Sequence, residues 1–89
     1  MERAHIIFEG HVQGVYFRAF VKENAEKLGI NGWVKNLLNG DVEAVFEGDE
    51  KDIEKLIEIC RTGHPIANVT NVQIKWEKPE GIFGFRIIR

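Results

Sequence analysis

One short segment combines glycines, a glutamine and an arginine: residues 10–18, which read GHVQGVYFR. The segment follows an apolar run and precedes a stretch with helical periodicity, so it is predicted to join a strand to the N-terminus of a helix. Glycine lets the backbone turn tightly there and lets a ligand approach it closely. Free backbone N–H groups and the positive end of the helix dipole favour an anion at such a place. Arg18 adds a planar set of donors suited to two phosphoryl oxygens, so the segment is predicted to bind phosphate.

Arg18 and Asn36 are the two side chains with the clearest chemical potential. Arg18 could be an ordinary exposed arginine, but a cation at a helix start opposes the helix dipole, and a bound anion removes that conflict. Asn36 falls near the end of a predicted strand, where asparagine is disfavoured. Its amide could hold a nucleophilic water, because it can both donate and accept hydrogen bonds. It could also simply prepare the Asn39-Gly40 turn, and spacing alone leaves both interpretations open.

The periodicity predicts the elements that position these side chains. Strands are expected at residues 3–9, 30–38 and 41–47, around Val72, Ile74 and Trp76, and at 83–88; helices are expected at 17–28 and about 50–61. Asn39-Gly40-Asp41 is a strong signal for a hairpin turn. In the third strand Val42, Ala44 and Phe46 alternate with acidic positions, which predicts one buried face and one solvent-exposed face.

The resulting order, βαββαβ, predicts an α+β fold. Both helices carry one apolar stripe, and both stripes can be buried on the same face of an antiparallel sheet. We therefore expect a ferredoxin-like α/β sandwich with two helices on one face.

Residues 10–18, together with Gly32-Trp33-Val34-Lys35-Asn36 and then Gly40, Val42 and Gly48, strongly resemble the acylphosphatase family. The resemblance extends over essentially the whole chain, with weaker similarity at residues 63–69 and 84–87. Family members usually have a second proline where His64 stands. The resemblance implies the ferredoxin-like fold and an enzyme that hydrolyses acyl phosphates without a metal or cofactor. It assigns catalysis to Arg18 and Asn36, and phosphate binding to the loop formed by Val12, Gln13, Gly14, Val15 and Tyr16 together with Arg18.

The residue types at this site suit a reaction with an easy leaving group. They offer a guanidinium, an amide and backbone N–H groups, but no obvious acid, base, nucleophile or metal site. A carboxylate, whose conjugate acid has a pKa of about 4–5, leaves without being protonated. A phosphate ester expels a poor alkoxide and normally needs an acid or a metal. Acyl phosphates are therefore the expected substrates, attacked in line at phosphorus by a water that Asn36 positions.

The remaining polar and aromatic residues are predicted to be structural or solvent-exposed, and His11 is expected to be exposed. His5, His11 and His64 have no metal-ligand spacing, and the side chain of Gln13 is not required where the loop donates from its backbone. Cys60 lies on the apolar stripe of the second helix and is expected to be a buried hydrophobe. Trp33 and Trp76 are expected in the core or at its edge.

Composition predicts one ordinary globular domain over residues 1–89. The chain has 44% hydrophobic and 29% charged residues, a net charge of −2 and a single cysteine. There is no basic block to favour nucleic acid, and no internal disulfide is possible. Neither a signal segment nor a membrane span is recognisable. We expect a cytoplasmic monomer that acts on a small-molecule acyl phosphate.

Three alternatives remain open at this level. A ferredoxin-like binding module could use the loop to sense phosphate without turnover, although it would not need Asn36. An RNA-binding module of similar topology would need a basic-aromatic pattern that His5-Ile6-Ile7-Phe8 does not supply. The chain could also correspond to the acylphosphatase-like domain of larger carbamoyl-transferring proteins, but we expect a free enzyme because no further domain is present.

Overall fold

Five strands and two helices follow one another in this computed structural model, which describes residues 1–89. The elements are β1 (Glu2–His11), α1 (Phe17–Lys27), β2 (Asn31–Asn36), β3 (Val42–Gly48), α2 (Glu50–Thr62), β4 (Asn68–Glu77) and β5 (Phe85–Ile88). Each predicted element is present, with ends shifted by a few residues. β4 differs most, because it begins well before the apolar positions that marked it in the sequence.

The strands form one sheet in the order β4-β1-β3-β2-β5. β1 lies at the centre between β3 and β4 and is antiparallel to both, and β2 and β3 form an antiparallel hairpin. β5 is parallel to β2, with Gly32 opposite Phe85. The prediction of an antiparallel sheet is therefore wrong at this edge, and the sheet is mixed.

The parallel pairing follows from where β4 ends. Arg3 is paired with both Glu77 and Glu47, and Glu47 is paired with Asn31, so the last residue of β4 and the first residue of β2 lie at the same end of the sheet. The connection from β4 crosses that end to the opposite edge. It therefore delivers β5 in the direction in which β2 already runs.

The core lies between the sheet and the two helices, as the apolar stripes predicted. α1 buries Phe17, Val21 and Ala25, and α2 buries Ile53, Leu56, Ile57 and Cys60. These side chains pack on the inward residues of β1 and β3, among them Ile6, Phe8 and Phe46. Cys60 is fully buried, and burial raises the pKa of its thiol. Its role is packing, as predicted.

No helix is both long enough and apolar enough to cross a membrane.

Local hydrogen bonds explain where α2 begins and where the chain turns between β2 and β3. The carboxylate of Asp49 accepts a hydrogen bond from the backbone N–H of Lys51 at 2.9 Å and caps the start of α2. In the predicted hairpin turn, Asn39 Oδ1 accepts from the N–H of Asp41 at 2.9 Å. Gly40 has a positive φ of 99°, which glycine adopts without strain.

The acidic face of β3 was predicted to be exposed to solvent, but one residue on it, Glu47, is fully buried. The β4–β5 connection covers it, and the N–H groups of Glu80, Gly81 and Ile82 donate to its carboxylate at 2.8, 3.0 and 3.0 Å. Arg3 Nη1 donates a further hydrogen bond at 2.8 Å. A charge can be buried here because every side of the carboxylate meets a donor.

Neither tryptophan is a core residue. Trp33 is partly exposed on β2, and Trp76 is 44% exposed because β4 is an edge strand with no neighbour beyond it. Of the two places expected for the tryptophans, the core is therefore excluded for Trp76, which lies on the edge strand.

Candidate active site

The glycine-rich loop begins at an irregularity in β1. The register of β1 with β4 shifts between Glu9 and Gly10. Gly10 has a φ of 123°, and a Cβ there would collide with the backbone carbonyl oxygen of Asn68. The close approach of the two backbones therefore requires glycine. Past this bulge the chain leaves the sheet and forms the loop that leads into α1.

Two residues with positive φ shape that loop. Gly14 has a φ of 77°, and Tyr16, immediately before α1, has φ 61° and ψ 29°. Tyr16 is the one non-glycine residue with positive φ, a conformation that costs a residue with a Cβ about 1–2 kcal/mol. Left-handed residues in a turn can direct successive N–H groups toward a common point, an arrangement that favours an anion.

The N–H groups of this loop have no acceptor within the protein. None of those from Val12 to Arg18 takes part in a backbone or side-chain hydrogen bond. No side chain caps α1, and no acidic residue lies in its first turn. The positive end of the helix dipole is therefore open to an external anion.

A cleft of about 260 Å³ lies at this helix start. Its lining residues are Val12, Gln13, Gly14, Tyr16, Phe17, Arg18 and Asn36. The cleft thus brings together Arg18 and Asn36 with the predicted loop, although they come from different elements. Val15 is the exception, because its side chain is buried in the core and only its backbone belongs to the loop.

Arg18 lines the cleft without a partner. It is partly exposed and takes part in none of the ion pairs of the protein, although Arg3 and Arg61 both do. Its five N–H donors are consequently available to a ligand. A guanidinium beside an uncapped helix start adds to the local preference for an anion.

Asn36 has one buried and unsatisfied atom, Oδ1, the only buried side-chain nitrogen or oxygen without a hydrogen-bond partner. A buried acceptor left unpaired costs about 1–3 kcal/mol. Such a cost is typical of a functional position, because the amide is ready to accept a hydrogen from a molecule in the cleft.

The side chain of Gln13 has a structural role that the sequence did not reveal. Its Nε2 donates to the backbone carbonyl oxygens of Leu37 and Asp41, each at 2.8 Å. These carbonyls belong to the β2–β3 turn directly after Asn36. The side chain therefore ties the loop to the turn, and only the three-dimensional neighbourhood of the two segments could have indicated it.

The family model that matches this chain is that of acylphosphatase, over residues 4–87. The chain belongs to the acylphosphatase family. An acylphosphatase from Haloarcula marismortui is 52% identical over 85 residues, covering 96% of this chain and 93% of the relative. One from Thermococcus kodakarensis is 51% identical over 86 residues, covering 97% and 94%. The crystal structure of acylphosphatase from Bacillus subtilis superposes with a TM-score of 0.96 at 38% identity and covers both chains fully.

These comparisons confirm the resemblance and the ferredoxin-like arrangement of two helices on one sheet. The cleft at the start of α1 presents amide, phenol and guanidinium groups and apolar side chains, with no carboxylate, imidazole or thiol among its lining residues. No group of three or more His, Cys, Asp or Glu is arranged to hold a metal ion.

The three histidines lie outside this cleft. His5 Nε2 lies 2.6 Å from Glu43 Oε2 on the sheet face away from the helices. His64 Nδ1 accepts hydrogen bonds from the N–H groups of Ile66 and Ala67, at 3.1 and 2.9 Å, and its ring packs edge-on against Phe20. His11 is exposed at the end of β1. His5 and His64 thus make structural contacts, and His11 is exposed as expected.

Proposed function

We propose that this chain hydrolyses acyl phosphates to a carboxylate and inorganic phosphate, by direct attack of water on phosphorus. The observation that carries the proposal is the content of the cleft. An uncapped helix start, an arginine without a protein partner and a buried amide oxygen without a hydrogen bond meet there. The first two suit a phosphoryl group, and the third suits a water molecule.

In this proposal the phosphoryl group is held by the loop and by Arg18. The N–H groups of Val12, Gln13, Gly14, Val15 and Tyr16 surround the phosphoryl oxygens, and Arg18 donates to two of them. Charge spreads over those oxygens as the bond to the leaving group opens. Donors that are already oriented stabilise this charge without reorganising, which lowers the barrier.

Asn36 is proposed to position the attacking water. Oδ1 accepts one hydrogen of the water and leaves an oxygen lone pair free to approach phosphorus. Holding two reacting groups in line converts an encounter in solution into a step within one complex. A general base is not required, because a phosphoryl oxygen of the substrate can take the proton of the water.

The proposed reaction needs neither a metal nor a general acid. The leaving carboxylate has a conjugate acid of pKa about 4–5, so it departs as the anion. The lining side chains of the cleft include no carboxylate or imidazole that could bind a divalent ion or protonate an alkoxide. The same donor set is poorly suited to phosphate monoesters.

A phosphate-binding module without turnover is the second candidate. It shares the loop and Arg18, but it gives no reason for the unpaired Oδ1 of Asn36. The unpaired oxygen therefore favours the hydrolase.

We also propose that the protein works as one domain and as a cytoplasmic monomer. Its net charge of −2 supports a small-molecule partner rather than a nucleic acid.

Hydrolysis of benzoyl phosphate, run beside a phosphate monoester in excess chelator, tests the proposal. Phosphate release from the acyl phosphate and little from the monoester is the expected result. Binding of phosphate without any release from benzoyl phosphate would favour the binding module. Activity that disappears with chelator and returns with Mg²⁺ would contradict the metal-independent site.

A further inference from the structure

We propose that a cavity on the face of the sheet away from the helices binds a small anion that carries a flat aromatic ring, such as a nucleoside monophosphate. The cavity has a volume of about 520 Å³, twice the volume of about 260 Å³ of the cleft at the start of α1. Its lining residues are Gly32, Trp33, Ile82, Phe83, Arg86 and Ile88. None of them lines the cleft, so this site goes beyond the proposed function and does not depend on it.

The β2–β5 pairing places the cavity on this face. Val34 and Phe85 are buried in the core beneath the helices. Trp33 and Arg86, each one position away along its strand, therefore point to the opposite face, because successive side chains of a strand alternate. They are also direct partners in the register of the two strands. An indole and a guanidinium thus lie side by side on the face away from the helices, at the β5 edge of the sheet.

The apolar side chains of the cavity are not part of the hydrophobic core. They are Trp33, Ile82, Phe83 and Ile88, and none of them belongs to the buried core cluster. Phe83 is 92% exposed. Neither aromatic ring is paired with another aromatic ring of the protein. Apolar groups that gather on the surface outside the core are typical of a binding site, and two unpaired rings suit a ligand that stacks.

Phe83 is exposed although its backbone is firmly held. The N–H of Ile82, on one side, donates to Glu47 Oε1 at 3.0 Å, and the N–H of Gly84, on the other, donates to Asn31 Oδ1 at 2.9 Å. The exposed ring is therefore not the consequence of a loose connection. A ring on a fixed backbone loses little backbone entropy when a ligand binds, which favours stacking at this position.

The cavity attracts negative charge through Arg86. The exposed side chain of this arginine takes part in no hydrogen bond or ion pair of the protein. Lys35 Nζ lies 5.7 Å from the centre of the Trp33 ring, but Glu43 Oε1 is 3.6 Å from this ammonium and balances its charge. No carboxylate lines the cavity itself. The available guanidinium therefore favours an anion, and its planar donors suit the oxygens of a phosphate.

A nucleoside monophosphate combines the two features that these walls recognise. Its base offers two flat faces to Trp33 and Phe83, and stacking of this kind accepts any base. Its phosphate can bond to Arg86 from the same side of the sheet. A volume of about 520 Å³ is within the range of about 300–1,000 Å³ that small-molecule sites have. Ring and charge both contribute, so either part alone should bind more weakly.

An NMR titration with AMP, adenosine and ribose 5-phosphate tests the proposal. The ¹H–¹⁵N signals of the Trp33 indole and of the Phe83 and Arg86 backbone report the cavity, and those of residues 12–18 report the cleft separately. We expect AMP to shift the cavity signals and to bind there about fivefold more tightly than adenosine, which is the contribution of an exposed ion pair at the upper end of its range. Ribose 5-phosphate, which has no aromatic ring, should shift them least.

Two variants separate the ring from the charge. Phe83→Ser should weaken AMP and adenosine alike by about tenfold, as loss of one stacking ring requires. Arg86→Gln should reduce the affinity for AMP about fivefold, to that of adenosine, and leave adenosine unchanged. Ile66→Ser and Arg61→Gln, at an exposed isoleucine and an exposed arginine outside the cavity, are the matched controls and should bind as the wild type does. Hydrolysis of benzoyl phosphate should be unchanged in all four, because none of these residues lines the cleft.

Three results would overturn the proposal. AMP that shifts no cavity signal, or only those of residues 12–18, would exclude binding in the cavity. Equal affinity for AMP in the wild type and in both cavity variants would mean that neither the ring nor the charge takes part. Signals of Trp33 and Phe83 that shift with protein concentration in the absence of AMP would mean that a second copy covers the rings. The benzoyl phosphate assay tests the proposed function separately, so either proposal can fail while the other stands.

Discussion

The side chain of Gln13 bonds to the backbone of Leu37, the residue that follows Asn36, with 2.8 Å between Gln13 Nε2 and the Leu37 carbonyl oxygen. A second bond of 2.8 Å joins the same nitrogen to the carbonyl oxygen of Asp41. The glycine-rich loop and the strand end that carries Asn36 are thus held together by one amide group. In the proposed mechanism this amide sets the distance between the phosphoryl group and the attacking water.

Gln13→Ala is expected to impair both stability and turnover. The free energy of unfolding should fall by about 1–3 kcal/mol, because two hydrogen bonds of about 0.5–1.5 kcal/mol each are lost, although both carbonyls keep a backbone donor. A shift of the loop relative to Asn36 should lower kcat/KM about tenfold to a hundredfold. Gln73→Ala is the control, since Gln73 donates only to the exposed Glu9 carboxylate. Normal kcat/KM in Gln13→Ala would show that the bond does not position the site.

Arg18→Ala is expected to weaken phosphate binding and nearly abolish turnover. Loss of charge-assisted hydrogen bonds worth about 1.5–3 kcal/mol corresponds to at least a tenfold rise in the phosphate dissociation constant. Arg18→Lys should recover little, because an ammonium cannot replace the planar pair of donors. Phosphate titration and kcat measure the two effects, with Arg61→Ala on the exposed face of α2 as the control. Unchanged phosphate affinity in Arg18→Ala would contradict its role.

Asn36→Ala is expected to separate binding from chemistry. Phosphate affinity should stay close to that of the wild type, whereas kcat should fall about a hundredfold or more, as for other groups that act in the transition state. Its free energy of unfolding should not decrease much, because the variant removes an unpaired buried oxygen.

Asn31→Ala is the comparison variant, because it should lower stability and leave turnover nearly unchanged, whereas Asn36→Ala should do the reverse. Asn31 Oδ1 accepts a structural hydrogen bond from the N–H of Gly84 at 2.9 Å, so its loss should lower Tm with little effect on kcat. Asn36→Ala with full kcat at saturating substrate would remove Asn36 from the mechanism.

Glu47 should make the stability of the protein depend on pH in the acid range. Burial by itself would raise the pKa of this carboxyl, but hydrogen bonds from the Glu80 N–H, the Arg3 side chain and the Ile82 and Gly81 N–H groups hold it below its ordinary value. A folded-state pKa below the unfolded one stabilises the protein above the unfolded value, near pH 4.5. This contribution is lost as the pH falls through the folded-state pKa.

Glu47→Gln should lower the free energy of unfolding at pH 7 by about 1.5–3 kcal/mol or more, because a neutral amide replaces a charged acceptor of several hydrogen bonds, although Arg3 keeps its ion pair with Glu77. Its unfolding free energy should also change less between pH 6 and pH 3, about the range over which a carboxyl titrates. Chemical denaturation at several pH values measures both, with the exposed Glu58→Gln as control. A variant whose stability falls with acid as steeply as that of the wild type would exclude Glu47 as the cause.

The sequence predicted the parts of this fold that depend on local patterns. Apolar spacing located both helices, Asn39-Gly40 located the hairpin, and the glycines with Arg18 indicated an anion site. It could not predict the parallel partner of β5, because the pairing depends on which edge of the sheet the chain reaches after β4 and on the direction of β2 at that edge. The burial of Glu47 depends on a covering loop, and the bonds of Gln13 depend on a turn more than twenty residues away. Each of these follows from non-local pairing, which periodicity does not record.

The most direct test of the proposed mechanism is a single turnover of benzoyl phosphate in ¹⁸O-labelled water with excess chelator, followed by mass spectrometry of both products. Attack of water on phosphorus places the label in inorganic phosphate and none in benzoate, and this is the predicted result. Label in benzoate would mean attack at the carbonyl carbon, and no turnover without added metal would mean a different site chemistry. Either result would contradict the roles proposed for Arg18 and Asn36.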